Sequence, residues 1–114
     1  MFEGANPILS VTDMARSLRY YVDVLGFSGA EWGEDDFTLV TRDRAGIYLC
    51  EGGQGQAGTW VWIGVSDVEA LHEEYKSAGA TILHPPENRP WAREMKIGDP
   101  DGHVLRFGSD PDDE

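Results

Sequence analysis

The sequence predicts an α+β domain in which two βαβββ repeats form one cupped mixed sheet. Three observations carry this expectation. Val11-Thr12-Asp13-Met14 and Val65-Ser66-Asp67-Val68 share one pattern and stand almost half the chain apart, as in an internal repeat. Apolar residues recur at helical spacing after each of these phrases. Fourteen Gly and six Pro in 114 residues call for many turns, and so for short strands rather than a helix bundle.

The elements follow in order. Residues 7–11 read as a short apolar strand. Met14, Leu18, Tyr21, Val22 and Leu25 then mark one face of a helix, with Thr12 or Asp13 as its N-cap and Gly26 as its stop. Strands are expected at 27–32, 37–42 and 46–50, separated by turns that contain Gly and Asp. The second half repeats the plan. A strand at 60–65 leads into a helix with Val68, Leu71, Tyr75 and Ala78 on one face and Gly79 at its end. Strands at 80–84, 93–97 and 104–107 complete it. Asp99-Pro100-Asp101-Gly102 is a turn sequence, with Pro second and Gly fourth. A half of this size closes a core poorly alone, so the halves should pack together.

The length suits a single domain covering 1–114: a first half 1–51, a linker 52–58, a second half 59–108 and an acidic tail 109–114. The linker holds four glycines, which either border a site or simply connect. No apolar run approaches the roughly 20 residues of a membrane span. The N-terminal residues lack the basic start and apolar core of a signal peptide, and cytoplasmic localisation is the expectation. A single cysteine, Cys50, leaves no internal disulfide. The net charge of −12 makes nucleic acid and anionic membranes poor partners. It either serves solubility or draws in a cation.

Four tryptophans stand in this short chain. Trp60 and Trp62 alternate along one strand and so share a face. They belong to the core, to a dimer interface, or to a ligand groove. Trp32 and Phe37 flank the acidic turn Glu34-Asp35-Asp36, and Trp91 lies in a loop beside Pro90. Large aromatics in loops beside acids fit contact with a ligand or partner better than packing.

The paired plan, the opening Val11-Thr12-Asp13-Met14-Ala15-Arg16-Ser17-Leu18-Arg19-Tyr20-Tyr21, Leu25-Gly26-Phe27, and Asp99-Pro100-Asp101-Gly102-His103 together resemble the vicinal-oxygen-chelate superfamily. That superfamily contains glyoxalases, extradiol dioxygenases and bleomycin resistance proteins. Leu25-Gly26-Phe27-Ser28, Glu34-Asp35-Asp36-Phe37, Arg42-Asp43, Trp60-Val61-Trp62 and Pro90-Trp91-Ala92-Arg93-Glu94 resemble the bleomycin resistance proteins in order and approximate spacing. The resemblance implies a homodimer of the vicinal-oxygen-chelate fold whose interface grooves sequester a planar cationic antibiotic of the bleomycin type, metal-chelated or free, without modifying it. It implies Trp32, Phe37, Trp60, Trp62 and Trp91 as ligand-binding aromatics, Cys50 on the adjoining strand, and Glu34, Asp35 and Asp36 near the cationic tail. Pro7, which cannot donate a strand hydrogen bond, suits the hinge of an N-terminal arm that crosses to the partner.

The same fold hosts metal enzymes, the rival reading, and binders of other planar molecules. Matching strands to those enzymes places their ligand positions on Asn6 or Pro7, Tyr48, Trp60 and Arg106. None is a strong ligand, and Arg106 brings a permanent positive charge to the cation's place. No metal, cofactor or catalytic residue is therefore expected. His72, His84 and His103 read as separate surface histidines, and Cys50 as a small core or groove-lining residue. No nucleophile elbow, phosphate loop or His-Glu-x-x-His motif occurs.

Overall fold

Two aspartates begin the two helices. In a computed structural model that describes residues 1–111, Asp13 accepts from the Arg16 amide at 3.1 Å, and Asp67 accepts from the Ala70 amide at 3.1 Å. Each is an N-cap in extended conformation, a device that contributes about 1 kcal/mol. Thr12, the other candidate cap, instead reaches across the molecule to Asp101.

Each helix sits in a βαβββ unit. The first unit runs β1 (Ile8–Val11), α1 (Met14–Arg19), β2 (Ser28–Gly29), β3 (Phe37–Arg42) and β4 (Ala45–Glu51). The second runs β5 (Trp60–Gly64), α2 (Val68–Ala78), β6 (Thr81–Asn88), β7 (Arg93–Gly98) and β8 (Val104–Ser109). Each unit forms a four-stranded mixed sheet, ordered β1-β4-β3-β2 and β5-β8-β7-β6, with the first strand parallel to the last. Period-two alternation sends Leu9, Val11, Ile47, Leu49 and Val40 to the core from one sheet, and Met95, Ile97, Leu105 and Phe107 from the other. Tyr21, Leu25, Val68, Leu71 and Tyr75 from the helical segments join them in one cluster spanning both halves. The opposite face of each sheet stays outside this core.

Reciprocal polar contacts hold the halves together. From the second half, Asp101 accepts from the Thr12 amide and hydroxyl, from Arg16, and from Ser17 of the first. From the first half, Arg42 donates both terminal nitrogens to Glu74 of α2, at 2.7 and 3.0 Å. The Arg42 hydrogen bond holds the Glu74 carboxyl below its usual range. Gly26, at φ 78°, accepts this arrangement, because a β-carbon there would stand 2.8 Å from the Arg42 guanidinium. Burial, with Asp99 alongside, pushes the Tyr21 hydroxyl far above its ordinary range, so it donates to Asp99 at 2.8 Å. Burial likewise pushes Tyr75 up to about 12, and its hydroxyl donates to the Leu25 carbonyl.

Several sequence expectations are corrected. After Arg19 the first helix widens into a π-helical turn, Tyr20–Val24, closed by a bond from the Leu25 amide to the Tyr20 carbonyl. The wider turn keeps Tyr21 and Leu25 in the core and leaves Val22 at the surface. Ala78, expected on the inner face of α2, is also exposed. The strand expected at 27–32 shrinks to Ser28–Gly29, as the chain leaves the sheet to form the acidic loop. The strand expected at 80–84 extends to Asn88, through Pro85-Pro86. It is an edge strand with shifted register there, which tolerates prolines that cannot donate. Ser109, assigned to the tail, ends β8, while Asp112, Asp113 and Glu114 lie outside the described residues.

His103 is the largest correction: it is fully buried, not at the surface. The Thr59 amide donates to Nδ1 at 2.9 Å, so Nε2 carries the proton and donates to the Ser10 carbonyl at 2.6 Å. One imidazole thus ties the end of the linker to β1.

Candidate functional site

The faces turned away from the core carry the expected site residues in two groups. On the first sheet, Phe37 pairs in register with Cys50 and Leu39 with Tyr48, so these side chains share a face. Phe37 stacks on Tyr48, with ring centroids 5.3 Å apart and planes 13° apart, and Trp32 tilts against the same tyrosine. Cys50 is buried opposite Phe37, a small residue of the floor. The acidic turn folds back on itself, for the Glu34 amide and carbonyl both bond to Phe37. This leaves Glu34, Asp35 and Asp36 exposed beside Trp32. A hollow of about 440 Å³ opens between Trp32, Gly33, Glu34 and Phe37.

On the second sheet, Trp60 and Trp62 do share the outer face, and each is more than half exposed, at 57% and 53%. Trp91 projects from the loop before β7 and is 62% exposed. Glu94 organises this group. Its Oε2 accepts from Trp62 Nε1 at 2.6 Å and from Trp91 Nε1 at 2.8 Å, and its Oε1 accepts from Arg106. Burial alone raises a carboxyl's pKa; here the donated hydrogen bonds of Arg106, Trp62 and Trp91 outweigh it, and Glu94 is held below its ordinary range. Lys96, in register with Arg106, lies over the Trp60 ring at 5.6 Å from its centroid.

Glu94, Lys96 and Tyr48 join these groups of candidate residues, although the sequence reading did not assign them to the site. Alternation along β7 held a signal: Met95 and Ile97 are core residues, which puts Glu94 and Lys96 on the face of the tryptophans. The partner strands of β7 are what make that face a site, and pairing is not written in a single sequence.

The positions matched to metal ligands do not suit a divalent cation. Tyr48 is engaged in ring stacking, Trp60 lies under Lys96, and Arg106 is ion-paired to Glu94. Asn6 turns its amide to the Gly46 carbonyl at 2.9 Å. Among the described residues, no three His, Cys, Asp or Glu side chains converge to hold a metal ion. A larger cleft of about 710 Å³ opens elsewhere, between residues 5–7, the β3–β4 turn, β5 and α2. Of the expected site residues it reaches only Pro7 and Trp62, so it is not the aromatic site. Pro7 stands just before β1, where its carbonyl accepts from the Tyr48 amide. No helix among the described residues is long and apolar enough to cross a membrane.

With the geometry in place, known proteins give a frame. No curated protein matches the chain by sequence. Among solved structures, a bleomycin-binding protein from bleomycin-producing Streptomyces verticillus, complexed with copper(II)-bleomycin, superposes with a TM-score of 0.82 at 30% identity. The match covers 96% of this chain and 97% of that one. TioX from Micromonospora sp. ML1 shares the fold at 24% identity and TM-score 0.78, covering 93% of this chain and 98% of the other. TnmS3, an antibiotic binding protein from Streptomyces sp. CB03234, does so at 21% identity and TM-score 0.77, covering 98% and 99%. The model of the glyoxalase/bleomycin resistance protein/dioxygenase superfamily matches residues 5–107, and the chain belongs to that superfamily.

Proposed function

We propose that this protein is a cytoplasmic, homodimeric binding protein that sequesters a flat cationic antibiotic of the bleomycin type, metal-chelated or free, and leaves it chemically unchanged. The observation that carries the reading is the outer face of the second sheet, where Trp60, Trp62 and Trp91 are all more than half exposed. So much aromatic surface outside a core is costly unless a ligand or partner covers it. Similarity to a bleomycin-binding protein over nearly the whole chain supports the ligand class. The first-sheet group, Trp32, Phe37 and the acidic turn, lies on a different sheet of the same chain. A second copy that faces the first sheet of one subunit with the second sheet of the other joins the two groups in each of two equivalent grooves. In this reading Pro7 is the hinge of an arm that reaches the partner.

Stacking and charge divide the work. Each offset ring pair contributes about 0.5–1.5 kcal/mol beyond the area it buries. Two or three such contacts supply about 1–4.5 kcal/mol, and the apolar area that they bury must supply most of the rest of the roughly −8 kcal/mol of micromolar binding. Glu34, Asp35 and Asp36 hasten the encounter and favour the cationic end. The rival metal-enzyme reading needs a ligand where Arg106, a permanent cation ion-paired to Glu94, stands.

The test is to incubate bleomycin with the protein, separate the complex by gel filtration, and release the ligand with denaturant. The expected result is co-elution at a dimer's mass and recovery of bleomycin with unchanged mass. A modified product excludes sequestration, and elution of the complex at a monomer's mass excludes the shared groove.

A further inference from the structure

Trp62 does not stand up from its sheet. A β-carbon on Gly108 would lie 2.8 Å from Cζ2 of its ring, and one on Gly64 would lie 3.2 Å from Cζ3. Gly64, Gly108 and Glu94 form one cross-strand row, so the indole lies across two positions without side chains and meets the carboxylate at the third. The edge nitrogen bonds to Glu94, while the residue as a whole remains 53% exposed. The Glu94 side chain is itself only 3% exposed, and it holds Trp91 and Arg106 at the same time. Among the described residues, Trp32 and Trp60 make no such bond through Nε1.

We propose that Glu94, with Gly64 and Gly108 beneath the ring, is the positioning element of the groove, fixing the Trp62 and Trp91 indoles as a preset stacking surface for a flat, electron-poor or cationic heteroaromatic ring. The inference rests on the reading that this face binds a flat ligand. An exposed indole free to turn loses that freedom when a ring stacks on it, which weakens binding. Here the freedom is already lost in the free protein, because a charge-assisted hydrogen bond holds each nitrogen. Donation to a carboxylate also leaves the indole richer in electrons, so its face attracts positive or electron-poor rings more strongly. Glu94 is therefore a positioning residue: it is buried and engaged by three donors, and it acts on the ligand through the indoles. Gly108 has the same role by absence, since any larger residue lifts the ring from the sheet.

The test begins without ligand. In a proton–nitrogen correlation spectrum of protein labelled at tryptophan, two of the four indole signals are expected at lower field and with slower solvent exchange. Glu94→Gln, which keeps the side-chain volume, is expected to move those two and leave the others. Bleomycin and 9-aminoacridine, a flat cation, are then titrated into the wild type, Glu94→Gln and Gly108→Ala, with thermal melts to confirm folding. Both variants are expected to bind about tenfold more weakly. If Gly108→Ala does not fold, Glu94→Gln carries the comparison. Indole signals that Glu94→Gln leaves in place, or unchanged affinity in the folded variants, overturns the proposal. If the wild type binds neither probe, the function proposed above fails, and the spectrum alone decides the positioning role.

Discussion

The imidazole of His103 donates to the backbone carbonyl of Ser10 at 2.6 Å, joining the turn before β8 to β1 of the other half. On its other side the ring accepts from the Thr59 amide. Both backbone partners lose their bond when the ring is removed. His103→Leu is therefore expected to cost about 2–4 kcal/mol, since unsatisfied buried groups cost about 1–3 kcal/mol each. Urea unfolding measures this; a loss under about 0.5 kcal/mol contradicts the bridging role.

The two reciprocal contacts between halves should differ in weight. Asp101 is 6% exposed at its side chain and accepts from four donors, whereas Arg42 and Glu74 are 34% and 45% exposed. Screening by solvent limits the Arg42–Glu74 pair to about 1 kcal/mol or less. Asp101→Ala is expected to destabilise by about 2–3 kcal/mol, because it strips several donors at once. Equal losses for Asp101→Ala and Glu74→Gln in denaturant titrations contradict this ranking.

Acid should loosen the second-sheet face. Burial raises the Glu94 pKa, but bonds from Arg106, Trp62 and Trp91 lower it further, leaving it below the unfolded value of about 4.3. Its contribution is fully present above that unfolded value and is lost as pH falls through the lower folded one. Arg106 and Lys96 face it from β8 and β7, and Glu87 lies in register on β6. Glu94→Gln is expected to cost about 1–3 kcal/mol at neutral pH, with the difference shrinking below about pH 4. A constant difference from pH 7 to pH 3 contradicts this assignment.

Ligand binding should depend on rings and on salt. Trp60→Ala and Trp91→Ala are each expected to weaken bleomycin binding by more than about tenfold, with the fold intact by circular dichroism. Raising salt should weaken binding further, as the acidic turn and the net charge of −12 are screened. Folded variants with wild-type affinity remove the stacking contacts, and a flat salt response removes the acidic cluster.

Much of the fold was legible in local signals. Asp13 and Asp67 mark helix starts because a short carboxylate is the simplest partner for free amides, and helical spacing pointed to Tyr21, Leu25, Val68, Leu71 and Tyr75, all of them core residues. What depended on distant partners was hidden. The π turn after Arg19 preserves the apolar spacing of Tyr21 and Leu25 while moving Val22 out, so periodicity alone does not reveal it. His103 looked like a turn residue because its burial comes from Ser10 and Thr59, both far along the chain. Alternation fixed a common side for Trp60 and Trp62, but their exposure, which tells surface from core, came only with the fold. Glu94 was not, because its importance lies in three side chains brought to it from β5, β8 and the loop before β7.

The most direct measurement is a calorimetric titration of metal-stripped protein with bleomycin, followed in parallel by tryptophan fluorescence. The account predicts saturable binding at micromolar affinity or tighter, one ligand per chain, with quenching that Trp62→Ala and Trp91→Ala diminish. No heat and no quenching at millimolar ligand, with the protein folded, would contradict it and separate this aromatic face from bleomycin-type ligands.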